Sequence, residues 1–89
     1  MTKFEELKFY PLRKDLQDEY THRAENPLDG KYLLSVLRQG DSPKTHTYEV
    51  ALLKEGGGLL AASTCYGAGE AKLAYAEGLK RYFRYANAN

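Results

Sequence analysis

The stretch from Glu70 to Tyr85 constrains the fold of this chain more than any other. Ala71, Ala74, Tyr75, Gly78, Leu79, Tyr82 and Phe83 recur at intervals of three and four, the spacing of one apolar stripe on an α-helix. Lys72, Glu77, Lys80, Arg81 and Arg84 stay off that stripe. Ala74 and Gly78 are small enough to let the helix axis come close to a sheet. A helix with one apolar face is stable only against a second layer, and the segments before it read as strands.

The spacing predicts a first strand over Lys31–Arg38, with Tyr32, Leu34 and Val36 on one face and Leu33, Ser35 and Leu37 on the other. A second runs over Thr45–Leu53, where Tyr48, Val50 and Leu52 alternate with Thr47, Glu49 and Ala51. Gln39-Gly40-Asp41-Ser42-Pro43 is a turn by composition, and Gly56-Gly57-Gly58 is a tight hairpin connection. A third strand, rich in small residues, covers Leu59–Cys65. Upstream, Leu12, Leu16, Tyr20 and Ala24 fall four apart after Pro11, which predicts a first helix of about four turns. Asn26-Pro27-Leu28-Asp29-Gly30 ends it.

These elements define an α+β fold of order α-β-β-β-α, a three-stranded antiparallel sheet with two helices packed on one face. Residues 1–10 read as a short helix or an arm whose Phe4 and Phe9 fold onto the core. Residues 11–86 form one domain, and 87–89 a disordered tail. An 89-residue chain buries only about 60–65% of its unfolded surface, so the core is thin.

Thirteen Lys and Arg against 12 Asp and Glu leave a formal charge of +1. Dedicated nucleic-acid binders carry a clear basic excess. The single cysteine, Cys65, excludes an internal disulfide and a cysteine zinc cluster; it reads as a small buried hydrophobe. His22 and His46 are too isolated in sequence to be read as metal ligands. No apolar stretch approaches the ~20 residues of a membrane span, and Met1–Leu7 is too charged for a signal peptide. The expectation is a cytoplasmic protein without metal or cofactor. Without paired carboxylates, a Ser/His/Asp or Cys/His arrangement or a metal cluster, the chain does not read as an enzyme.

Several local motifs, Leu16-Gln17 with Glu19-Tyr20, Pro27-Leu28 before Tyr32-Leu33, Pro43 to Val50, and Ala71-Lys72 followed by Ala74 and Ala76, resemble the double-stranded RNA-binding domain family. The resemblance spans about Leu12 to Phe83. It implies the α-β-β-β-α order and recognition of A-form RNA by shape. The residues it would assign to RNA are Arg13, Lys14 and Gln17 on the first helix, Lys44 in the loop between the first two strands, His46 at the start of the second strand, and Lys72 on the last helix. His22 would flank that face. Where the family places consecutive basic residues before its last helix, this chain has Ala68-Gly69-Glu70.

Two readings follow. The leading one is a small non-catalytic module that binds a protein partner or itself. It rests on eight tyrosines in 89 residues, with Tyr10, Tyr66 and Tyr85 lacking a core position, and on an apolar open sheet face bearing Leu33, Leu37, Ala51 and Leu53. Interface candidates are therefore Leu33, Leu37, Ala51, Leu53, Tyr66 and Tyr85. The other reading is weak, sequence-independent binding of double-stranded RNA. Gly67-Ala68-Gly69 lacks the length and the Lys-Ser/Thr ending of a nucleotide-binding loop, and serves the turn into the helix.

Overall fold

A computed structural model describes residues 3–12 and 20–87. A 3-10 turn over Phe4–Glu6 opens the chain. Strands β1 (Tyr10–Pro11), β2 (Thr21–Pro27), β3 (Tyr32–Gln39), β4 (Thr47–Lys54) and β5 (Gly58–Cys65) follow, then helix α1 (Ala68–Asn87). Each strand pairs antiparallel with the next, giving a five-stranded meander in the order β1-β2-β3-β4-β5. Among the described residues the fold is α+β, with one α-helix on one face of the sheet.

This overturns the α-β-β-β-α expectation with its three strands and two helices. The fault lies in the segment before Pro27. A spacing of four belongs to a helix and equally to a strand, because every fourth residue shares a face at period two as well. In β2 the inward residues are Ala24 and Asn26, while Arg23 and Glu25 face out. The strand forms because β3 offers a full ladder, Thr21↔Gln39 to Pro27↔Leu33. Pro11 starts no helix: it lies opposite His22 in the edge strand β1, where a residue without an N–H is tolerated. Residues 13–19 of the expected helix lie outside the described residues.

The three later strands and the last helix occur as the alternation and the stripe predict, with ends shifted by up to two residues. The helix continues through Asn87, so that residue is not part of a tail. The β4–β5 hairpin needs its glycines: Gly57 N–H donates to the Lys54 carbonyl, and Gly56 and Gly57 have φ of +89° and +85°, a region costly for residues with a Cβ. A register shift at Leu52/Leu53 marks a bulge in β5 at Leu60.

One face of the sheet carries the core. Leu34, Val36, Tyr48, Val50, Leu52 and Cys65 are buried there against Ala71 and Tyr75 of α1. Phe83, placed on the stripe by its spacing, is exposed instead. The N-terminal arm joins this face: the Phe4 ring meets Tyr48 and Tyr75 edge-on at 6.1 and 5.8 Å. Phe9 also packs on Tyr48, with the Arg38 guanidinium 4.4 Å above its ring. Such contacts contribute about 0.5–1.5 kcal/mol each beyond buried area.

Gly78 sets how closely α1 approaches the sheet. A Cβ there would lie 2.7 Å from Leu34 Cδ1, and Leu34 is fully buried. Gly78→Ala is therefore expected to lower the urea midpoint. Alanine gains roughly 1 kcal/mol as a helix former, but overfilling a packed core costs about 1–3 kcal/mol. A raised midpoint would show that the helix is not seated on Leu34.

Candidate protein-interaction face

Alternation along the strands sends every second residue away from α1. The cross-strand register then assembles those residues into rows. Nearest the β2–β3 and β4–β5 turns, Pro27, Leu33, Leu53 and Leu59 line up across four strands, a span of about 14 Å at the usual strand spacing. The next row is Glu25, Ser35, Ala51 and Ala62, and the third is Arg23, Leu37, Glu49 and Thr64. Arg23 and Glu25 pair loosely at 3.8 Å.

The face thus grades from apolar at one end to charged at the other, with small residues between. Its centre is flat, because Ser35, Ala51 and Ala62 project little. Ser35 is only 7% exposed although no described helix covers it. Leu59, at 62%, stands proud of the surface. The arm could have folded over this apolar row. It packs on the helix side instead, through Phe4, Phe9 and the Lys72–Glu5 ion pair.

The structure brings Leu33, Leu37, Ala51 and Leu53 onto this one face, as their alternation implies. It separates Tyr66 and Tyr85 from them and from each other: these exposed side chains flank opposite ends of α1, a helix about 30 Å long. Tyr10 is also exposed. Pro27 and Leu59 complete the apolar row, and sequence reasoning missed both. Pro27 was hidden by the helical reading of the segment before it. Leu59 took its place only when the bulge at Leu60 set the register.

Of the residues assigned to RNA, Lys44, His46 and Lys72 fall among the described residues. Arg13, Lys14 and Gln17 lie outside the described residues. Lys44 is exposed in the β3–β4 turn, where Asp41, Ser42 and Thr45 hydrogen-bond one another. Lys72 is held by Glu5. His46 stacks edge-on against Tyr48; partial burial, with Arg38 and His22 nearby, lowers its pKa and favours the neutral ring. Glu70, which stands where the family has a base, has a structural use: its carboxylate accepts the Tyr66 backbone N–H at 2.7 Å. An acid in the first turn also suits the helix dipole.

The other polar groups serve the fold. Asn26 Nδ2 donates to Tyr75 Oη at 2.6 Å in the interior, joining β2 to α1. Tyr82 Oη donates to Asp29 Oδ2 at 3.2 Å, fixing the far half of the helix to the β2–β3 turn. Cys65 is buried, and burial together with Glu70 pushes its thiol up, away from the reactive thiolate. Among the described residues no group of three His, Cys, Asp or Glu could hold a metal ion. No described helix is long and apolar enough to cross a membrane. Comparison with known proteins finds no family model, curated protein or solved structure that matches the chain.

Proposed function

We propose that this chain is a small non-catalytic binding module whose open sheet face docks a protein partner. The observation that carries this reading is the apolar row Pro27–Leu33–Leu53–Leu59, which no described element covers, on a sheet whose other face is covered by α1 and the arm. Apolar residues contiguous across four strands are unusual on a surface that meets only water. The flat row of Ser35, Ala51 and Ala62 beside it lets a partner approach the backbone. The charged row at Arg23 and Glu49 supplies the polar rim that interfaces carry. A formal charge of +1 and the engagement of Lys72 by Glu5 weigh against a phosphate backbone as the ligand. A single, buried, protonated cysteine is in keeping with a cytoplasmic location.

The test places a photo-crosslinking residue at Leu53 and, as a control, at Lys80 on the outer side of α1, in the cell that makes the protein. The expected result is a discrete crosslinked protein from position 53 alone, lost when Leu33→Asp is added. A ~20-base-pair RNA duplex is titrated in parallel at low salt, long enough for a full footprint. Salt-sensitive RNA binding that falls with Lys44→Ala and ignores Leu33→Asp would overturn the proposal.

A further inference from the structure

We propose that two copies of this chain pair antiparallel along β5, joining their sheets into one of ten strands with both helices on the same side. Leu59 and Ala62 lie on both the β5 edge and the open face, so Leu33→Asp, away from that edge, is the variant that separates this pairing from the docking reading.

Three observations converge on it. The first is the exposed edge. Among the described residues β5 pairs only with β4, so the outer row of N–H and C=O groups along Gly58–Cys65 faces away from the sheet. The opposite edge is blunted: β1 covers part of β2 and carries Pro11.

The second is composition. Chains that remain single protect an edge strand with charge, proline or shortness. β5 has eight residues, none of them charged and none proline. Its bulge at Leu60 sits near the start and leaves Ala61–Cys65 in unbroken register. Leu59, Ala62, Ser63 and Thr64 are exposed.

The third observation names the occupant. One flank of α1 is taken up: Lys72 and Tyr75 meet the arm, and Tyr75 and Tyr82 bond to Asn26 and Asp29 on the β2–β3 side. At about 100° per residue, Glu70, Glu77, Arg81 and Tyr85 fall toward the other flank, over β5, with Arg84 between that flank and the outer side. That flank is acidic in its first half and basic in its second. Because α1 runs back along β5 after a short turn, a two-fold axis through the middle of β5 also sets the two helices antiparallel. Glu70 of each then lies toward the basic second half of the other, a self-complementary placement in the arrangement that the strand pairing imposes, while Glu77, near the middle of α1, lies toward its own copy. Glu77 is engaged only by an exposed contact with Lys80 at 3.5 Å, which contributes little.

Distance decides which side chains can meet. Helix α1 lies chiefly over β4, so the two axes would stand three strand spacings apart, about 14 Å. Direct helix packing needs about 8–10 Å. Long side chains must bridge the gap, and this flank offers Glu, Arg and Tyr85, the last 38% exposed. A stable dimer buries about 800 Å² per partner; backbone pairing supplies the direction, and the helix flank extends the area.

The test is sedimentation equilibrium of the whole chain from low micromolar to a few hundred micromolar, with hydrogen exchange read over residues 58–65. The mass is expected to rise toward twice the 10.1 kDa of one chain, and β5 amides to gain protection as concentration increases. Ala62→Lys puts like charges near the two-fold axis and is expected to weaken the dimer by about tenfold or more. Leu33→Asp on the open face is expected to leave it intact. A chain that stays single at every concentration overturns the pairing and leaves the docking reading untouched. A dimer insensitive to Ala62→Lys, or one lost in Leu33→Asp, overturns it in favour of another contact. Should Ala62→Lys not fold, the natural chain decides, because β5 exchange independent of concentration also overturns it.

Discussion

Leu34→Asp is expected to leave the chain unfolded in water, while Leu33→Asp, one residue away, leaves it folded. The two side chains occupy opposite faces of β3. Leu34 is fully buried between the sheet and α1, and Leu33 is half-buried on the open face. Losing a buried leucine costs about 2–5 kcal/mol. An aspartate in its place adds the cost of burying a charge or of protonating it, several kcal/mol more. A domain of this length holds about 4–13 kcal/mol in all, so the sum takes most or all of it. At position 33 the carboxylate reaches water, and the expected loss is about 1 kcal/mol. Far-UV circular dichroism and urea titration of both variants check this. Equal damage at the two positions would show that the faces are assigned wrongly, and with them the candidate interface.

Tyr75→Ala is expected to destabilise the chain by about 3–5 kcal/mol, the range for removing a buried aromatic side chain. Tyr75 is 2% exposed and joins three parts of the structure: the helix that bears it, the arm through Phe4, and β2 through Asn26. Tyr75→Phe separates the ring from the hydroxyl. It keeps the packing with Phe4 but removes the acceptor of the Asn26 amide, which is itself 5% exposed. Leaving that donor unsatisfied costs about 1–3 kcal/mol.

The hydroxyl also predicts an alkaline limb. Burial raises the Tyr75 pKa above the ordinary tyrosine value, with the Asn26 hydrogen bond acting in the opposite sense. A folded-state value above the unfolded one means that the stabilisation is fully present below about pH 10 and is lost as pH climbs through the raised value. Urea midpoints measured against pH should fall on the alkaline side in the natural chain and less steeply in Tyr75→Phe. Identical alkaline limbs would mean that other groups govern the loss.

Much of this architecture is readable along the chain, for identifiable reasons. β3 and β4 each have one face buried and one open, so their period-two pattern is clean. The helix over Ala71, Tyr75 and Gly78 carries a stripe that only a covering role explains. From the same alternation, Leu33, Leu37, Ala51 and Leu53 separate from the core set without any coordinates.

Other features depend on contacts far apart in sequence. Whether residues 21–27 form helix or strand turns on a spacing that both satisfy, and the ladder to β3 decides it, because unpaired backbone groups are costly. Asn26 reads as a helix breaker locally and becomes a buried partner of Tyr75 only when the sheet sets β2 within reach of the Tyr75 hydroxyl. Glu70 reads as the wrong charge for a phosphate and proves to bind the Tyr66 N–H at the start of the helix. Local order therefore determined β3, β4, β5, the last helix and the two-faced sheet, since each follows from the periodicity of neighbouring residues. Tertiary structure alone decided the order of the five strands, the apolar row from Pro27 to Leu59 and the edge position of β5, because register and edges are properties of strand pairs and not of single segments.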